Sequence, residues 1–416
     1  MYHKQNQSSG ESPFQNHSDL RVTIGIILQA VGCMTGVKVF QKQVLCSFLL
    51  VLFALIFFTP AFAQDQQQSP VNFDDLVARA SAARDVNDIP QAIALYNQAE
   101  QLKPEWPDGW WFLGNLQYGT NAYLEAIDAL NHYLHLMPKA APAYALRGLC
   151  EFETANYEQS LQDIQQALSL GAANQSRNEE ILRYHEAMLQ TRTGRFQEAL
   201  ESYRFFAQKG LSNPELLGAI GLAGLRVAML PKDVAPDKQD LFLTAGDAAY
   251  KFMAGGQQSA EDAFQNLFQR FPTAANTHYL YGYLLFPSNP DQALLEFKRE
   301  LEISPSNASA NEMLAWSALT QNDAATALPY AQKVLQLDPT LPGAQLVLGR
   351  SLTETGNLKD GIELLEKALQ TDPNNLEIHI ALATAYSRDG RKDDSRRERL
   401  WCLQAASGKA NQVAQP

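Results

Sequence analysis

His132 and His135 stand three residues apart in a stretch of helical periodicity, a spacing that would put two imidazoles on one face. Two imidazoles alone do not close a metal site, so the pair reads as packing or surface histidines and no metal is expected. His185-Glu186 lacks the second histidine that a zinc-protease helix requires. No phosphate-cradling glycine loop, no Gly-x-Ser-x-Gly elbow and no nucleophile with a matching base stand in the sequence. The expectation is therefore a chain with no catalytic residue and no cofactor, whose remaining chemistry is noncovalent. It is carried by aromatic side chains with a few amides and one arginine among them.

The elements that would position those rings recur. Prolines at 104 and 138 are 34 residues apart, and prolines at 272, 305, 339 and 373 follow at 33, 34 and 34. With each such proline as position 32 of a unit, small residues fill position 8: Ala80, Gly114, Gly148, Ala187, Ala248, Gly282, Ala315, Gly349 and Ala383. Position 20 is Ala92, Ala126, Ser160, Ala199, Ala260, Ala293, Ala327, Gly361 and Ser395, where two helices of a hairpin would cross most closely. Position 24 is a large knob in most units (Tyr96, Leu130, Ile164, Tyr203, Phe264, Phe297, Leu365), with Ala331 an undersized exception. The proline ends the second helix because it lacks an N–H and clashes with the preceding turn. A period near 34 with paired helical patterns inside it resembles the tetratricopeptide repeat (TPR) family. The resemblance implies an all-α, right-handed superhelical solenoid of about nine helical hairpins, each burying its apolar face on its neighbours.

Around the repeats the chain divides by pattern. Residues 1–63 are expected to be an N-terminal extension and a signal peptide. Lys38 and Lys42 precede the apolar run 44–58, then Pro60 and the triplet Ala61-Phe62-Ala63, where cleavage is expected. The product would be exported, periplasmic or secreted; an uncleaved leader would instead anchor it in the inner membrane, and Met34 is an alternative start. Residues 64–72 read as a polar linker, 73–212 as an N-terminal array, 213–240 as an irregular joint, 241–403 as a C-terminal array with a capping helix, and 404–416 as a flexible tail. Cys33 and Cys46 would leave with the leader, and Cys150 and Cys402 fall on repeats too far apart for a disulfide. Formal charge is −12, and beyond residue 63 there are 29 basic against 43 acidic residues, a surface that would repel nucleic acid. The triplet Asn307-Ala308-Ser309 matches a glycosylation sequon, a pattern common by chance.

In the family, positions 2, 5, 9, 12 and 13 of the first helices line a concave groove. Carried onto this chain, they place Trp111, Asn115, Tyr118, Phe152 and Tyr184 in the first array, and Tyr279, Tyr283, Phe286, Glu312, Trp316 and Arg350 in the second. The basic carboxylate clamp of chaperone-binding members is not reproduced, since only Asn115 and Arg350 match in type and they lie far apart. What the resemblance implies is a non-enzymatic adaptor or scaffold of the cell envelope that takes an extended or helical protein segment between its rings. A membrane-anchored envelope assembly factor is the alternative, and an enzyme of unrecognised type a further one.

Overall fold

A computed structural model describes residues 72–172, 176–341 and 343–406. The signal peptide, the cleavage site after Ala63, the linker up to residue 71 and the tail from residue 407 lie outside the described residues. Every regular element among the described residues is helical, and no helix there is long and apolar enough to cross a membrane. The described residues form two compact units, divided after residue 172.

The first unit holds three hairpins: α1 (Phe73–Asp85) with α2 (Ile89–Leu102), α3 (Pro107–Gly119) with α4 (Tyr123–Leu136), and α5 (Ala141–Glu153) with α6 (Tyr157–Ser169). The second unit holds α7 (Ser176–Arg192), α8 (Phe196–Lys209), α9 (Pro214–Gly224) and α10 (Gln239–Met253). It continues with α11 (Gln257–Arg270), α12 (Thr277–Leu285), α13 (Pro290–Ile303), α14 (Ala308–Thr320) and α15 (Ala324–Leu337). It ends with α16 (Ala344–Glu354), α17 (Leu358–Thr371), α18 (Leu376–Arg388) and α19 (Lys392–Ala406).

The sequence columns become contacts. A Cβ on Gly114 would come within 2.8 Å of Leu130, one on Gly282 within 2.8 Å of Phe297, and one on Gly349 within 2.8 Å of Leu365. Position 8 is thus small because the position-24 knob of the same hairpin occupies its Cβ space. Two position-20 serines add a bond to the fit: Ser160 Oγ donates to the Gly148 carbonyl and Ser395 Oγ to that of Ala383, both at 2.7 Å. The turns between paired helices need one left-handed residue, and asparagine supplies it at Asn87, Asn121 and Asn322, glycine at Gly356. Helices then restart on side-chain caps such as Asp88 to the Gln91 amide and Asp323 to that of Thr326.

The division between units falls at residue 172, in the longer connection after the third hairpin. Residues 213–240 lie inside the second unit, and α9 has the helical partner the sequence did not suggest. It packs on α10, across a linker containing two 3₁₀ turns, Pro231–Asp233 and Pro236–Lys238. Backbone meets backbone there: a Cβ on Gly221 would overlap the Phe242 carbonyl, and one on Gly246 the Leu217 carbonyl. At the far end, α19 buries Ser395 and Glu398, and His379 stacks on Trp401 with its Nδ1 2.7 Å from Glu398. Its outer face exposes Leu400 and Leu403 beside Arg396 and Arg399, so the solvating cap is partly apolar.

Two buried carboxyls stand out in the first unit. Glu100 is 3% exposed and neither of its oxygens has a hydrogen-bond partner. Burial pushes its carboxyl up to about 7, the Trp110 backbone offsetting part of this and Glu105 adding to it. Glu151, 4% exposed, is pushed up to about 8, by burial first and then by Asp163, with Arg147 acting the other way. Asp163 itself is held by Arg147 at 2.5 Å.

Candidate functional site

Three of the eleven sequence-derived groove residues are core. Tyr279 (3% exposed), Tyr184 (5%) and Phe152 (5%) are buried. Tyr279 packs on Phe297 and Tyr283, with centroids at 5.8 and 6.2 Å. The Tyr184 hydroxyl donates to Glu215 at 3.2 Å, and its ring meets Phe206 edge-on. Phe152 meets Tyr157 edge-on at 5.9 Å. Each ring is enclosed by neighbouring rings, which is why it folds inward.

In the first unit Trp111, Asn115 and Tyr118 are half-buried. Trp111 leans on Tyr133 at 5.4 Å, Tyr118 meets Tyr123 edge-on, and the Asn115 amide donates to the Trp111 carbonyl at 2.7 Å. The orienting amide is thereby committed to its own helix. His132 stacks on Trp110 at 4.2 Å, which gives that imidazole a packing role. Among the described residues, no group of three or more His, Cys, Asp or Glu could hold a metal ion.

The second unit brings a different set together. Arg226, two residues past the end of α9, takes a left-handed backbone (φ 58) that disfavours a bulky side chain. Its guanidinium lies 5.0 Å from the Phe196 ring centre and 5.4 Å from that of Tyr279, and Nη1 reaches the Tyr279 hydroxyl at 3.5 Å. No carboxylate lies within ion-pairing distance of it among the described residues. Half-buried Tyr283 lines the same small cleft, with Leu200, Ala223 and Leu280 behind it.

Glu312, from α14, faces this charge. Burial pushes its carboxyl up to about 7, Arg226 drawing it down and Asp338 adding to the rise. The carboxylate abuts Gly343, where a Cβ would overlap it. Beyond it on the same run of first helices, Arg350 of α16 lies over Trp316 of α14 at 5.6 Å, donates to Glu354 at 2.9 Å and reaches the Leu319 carbonyl. Phe286 caps the short α12 and leans on Phe297 at 6.3 Å.

The scaffold beneath is a buried carboxylate. Glu300 accepts from the Asn276 amide at 2.7 Å, the Tyr279 amide at 3.2 Å and Asn307 Nδ2 at 3.0 Å. Asn276, left-handed at φ 68, donates in turn to the Leu225 carbonyl beside Arg226. Asn307 is therefore spent on structure: its Nδ2 also bonds Asn276 Oδ1 at 2.8 Å, so the sequon asparagine offers no unengaged amide. Sequence reasoning missed Arg226 because it fell in the presumed joint. A signal was there, since Arg226 is the sole charge between Glu215 and Lys232.

Family models described as tetratricopeptide repeat match residues 77–145, 318–366 and 356–398. No curated protein matches the chain. Among solved structures, a crystal structure of MamA aligns at 18% identity with a TM-score of 0.36, covering 42% of this chain and 97% of that one. "MamA 41-end" from Desulfovibrio magneticus RS-1 aligns at 19% identity with a TM-score of 0.35, again covering 42% and 97%.

Proposed function

We propose that the chain is a scaffold for protein interaction built from tetratricopeptide-type repeats, and that it holds one segment of a partner protein against Arg226, Tyr283, Glu312 and Trp316 of its second unit, within the cell envelope. The observation that carries this reading is Arg226. A guanidinium kept in a strained backbone, between two rings and without a carboxylate partner, is stabilised by an incoming acceptor more than by anything around it. Tyr283, Trp316 and Arg350 then supply half-buried apolar and cationic surface along the neighbouring helices. Recognition is noncovalent, and no catalytic step is assigned to any residue.

The test is a pull-down from envelope extract of the source organism with the purified protein as bait. Tyr283→Ala/Trp316→Ala and Arg226→Met are run beside the wild type after circular dichroism shows equal helicity. The expected result is one partner retained by the wild type and reduced at least tenfold by both variants. Equal retention by all three would move the binding surface elsewhere. The envelope assignment rests on the 44–58 apolar run and the Ala61-Phe62-Ala63 triplet. Mass spectrometry of the protein from its own cells is expected to find Gln64 as the first residue; an intact leader would favour the membrane-anchored assembly factor.

A further inference from the structure

A cleft of about 830 Å³ opens at the turn ends of two successive hairpins of the second unit, α10/α11 and α12/α13. That volume lies within the ~300–1,000 Å³ range of small-molecule sites. It is separate from the Arg226 face in its lining residues.

The repeat pattern explains why it is open. In two hairpins of the first unit, the position-12 ring packs edge-on against a ring at position 17: Tyr118 on Tyr123 and Phe152 on Tyr157, each at 5.9 Å. The α10/α11 hairpin keeps the first ring, Phe252, and puts Gln257 at position 17. Phe252 retains an edge contact with Tyr281 at 6.5 Å, and the place of the second ring is vacant. The next hairpin does not fill it, because α12 has nine residues against thirteen in α14, and Pro287 follows closely.

The walls are planar polar groups. Gln257, Gln258, Gln265 and Gln292 line the cleft with Glu261 and Asp262. Gln258 donates to Asp262 at 3.0 Å and Gln257 to Glu261 at 3.5 Å, which leaves an amide oxygen on each glutamine and further lone pairs on each acid. No Lys, Arg or His is among the lining residues, and the two acids make the site unfavourable for an anion. Side-by-side acceptors and amide donors suit vicinal hydroxyls, each of which donates and accepts at once. An aromatic face suits the C–H side of a saturated ring.

We propose that this cleft binds a neutral oligosaccharide, with one sugar ring on Phe252 in the space that Tyr123 and Tyr157 fill elsewhere, and its hydroxyls on the glutamines and Asp262. The test is calorimetric titration of the purified protein with maltotetraose, cellotetraose and chitotetraose, with tetragalacturonate as the anionic control and tetralysine as the basic peptide control. At least one neutral sugar is expected to bind with a Kd below about 1 mM, and tetragalacturonate at least tenfold more weakly. Gln257→Tyr restores the ring found in other hairpins, so it should keep the fold and weaken the sugar at least tenfold. Phe252→Leu should weaken it comparably. Saturation by no neutral sugar, binding unchanged in both variants, or binding of tetralysine alone would each overturn the assignment. Capture of the protein partner should be the same in Gln257→Tyr as in the wild type, so this site and the Arg226 face fail or stand separately.

Discussion

Gly246→Ala is expected to destabilise the second unit by about 3 kcal/mol, the upper part of the range for overpacked interiors. The added methyl would overlap the Leu217 carbonyl and crowd the Gly221 amide, both backbone atoms. A side chain can rotate away from such a methyl; a helix backbone can only move the whole of α9. Gly221→Ala attacks the same seam from the other side, where the Phe242 carbonyl stands, and should behave alike. Gly119→Ala is the control, since a Cβ there meets nothing within 4 Å, and it should stabilise by up to about 1 kcal/mol through helix propensity. Urea denaturation followed by circular dichroism measures all three. A Gly246→Ala midpoint equal to that of the wild type would mean that α9 and α10 do not touch as described.

The second large effect is a stability that declines toward alkaline pH. Folded Glu151 holds its proton up to about pH 8, whereas an unfolded glutamate releases it near 4.5. Between those values the folded state binds more protons than the unfolded state. Stability that is fully present below 4.5 is therefore lost as pH rises, levelling above about 8. Glu100 acts in the same direction over a window ending near 7. Glu151→Gln removes the ionisation while keeping the shape, and should leave the first unit roughly 2–4 kcal/mol more stable than the wild type at pH 9. Near pH 5 the two should differ little. Urea midpoints at both pH values give the comparison; an identical pH slope in wild type and variant would remove Glu151 as the cause.

The helical hairpins were legible because their determinants are local and repeat. Position 8 must be small where position 24 is large, and Gly114 with Leu130, or Gly349 with Leu365, shows that relation in residues sixteen apart. The pairing of α9 with α10 follows no such column. It depends on Gly221 and Gly246 meeting across a linker with two prolines, and glycines in an apolar run suggest a loop as readily as a close crossing. The groove assignment was half legible for a related reason. Column position names the face of a helix, but whether Tyr279 or Tyr283 stays accessible depends on neighbours such as Phe297 and Arg226, which lie far away in sequence. Arg226 itself required the fold, since its meaning comes from Phe196, Tyr279 and Glu312, each from a different helix.

The glycine seam between α9 and α10 also bears on how the second unit would yield to a pulling force. Most of its helices are joined to sequence neighbours through side chains, so hairpins should peel away one at a time at low tension. At the seam, backbone lies directly on backbone at Gly221 and Gly246, so the two helices have to separate together there. A protein stretched from its ends would lengthen in small, frequent steps until this crossing is loaded, and then hold as a mechanical clamp before a single larger release.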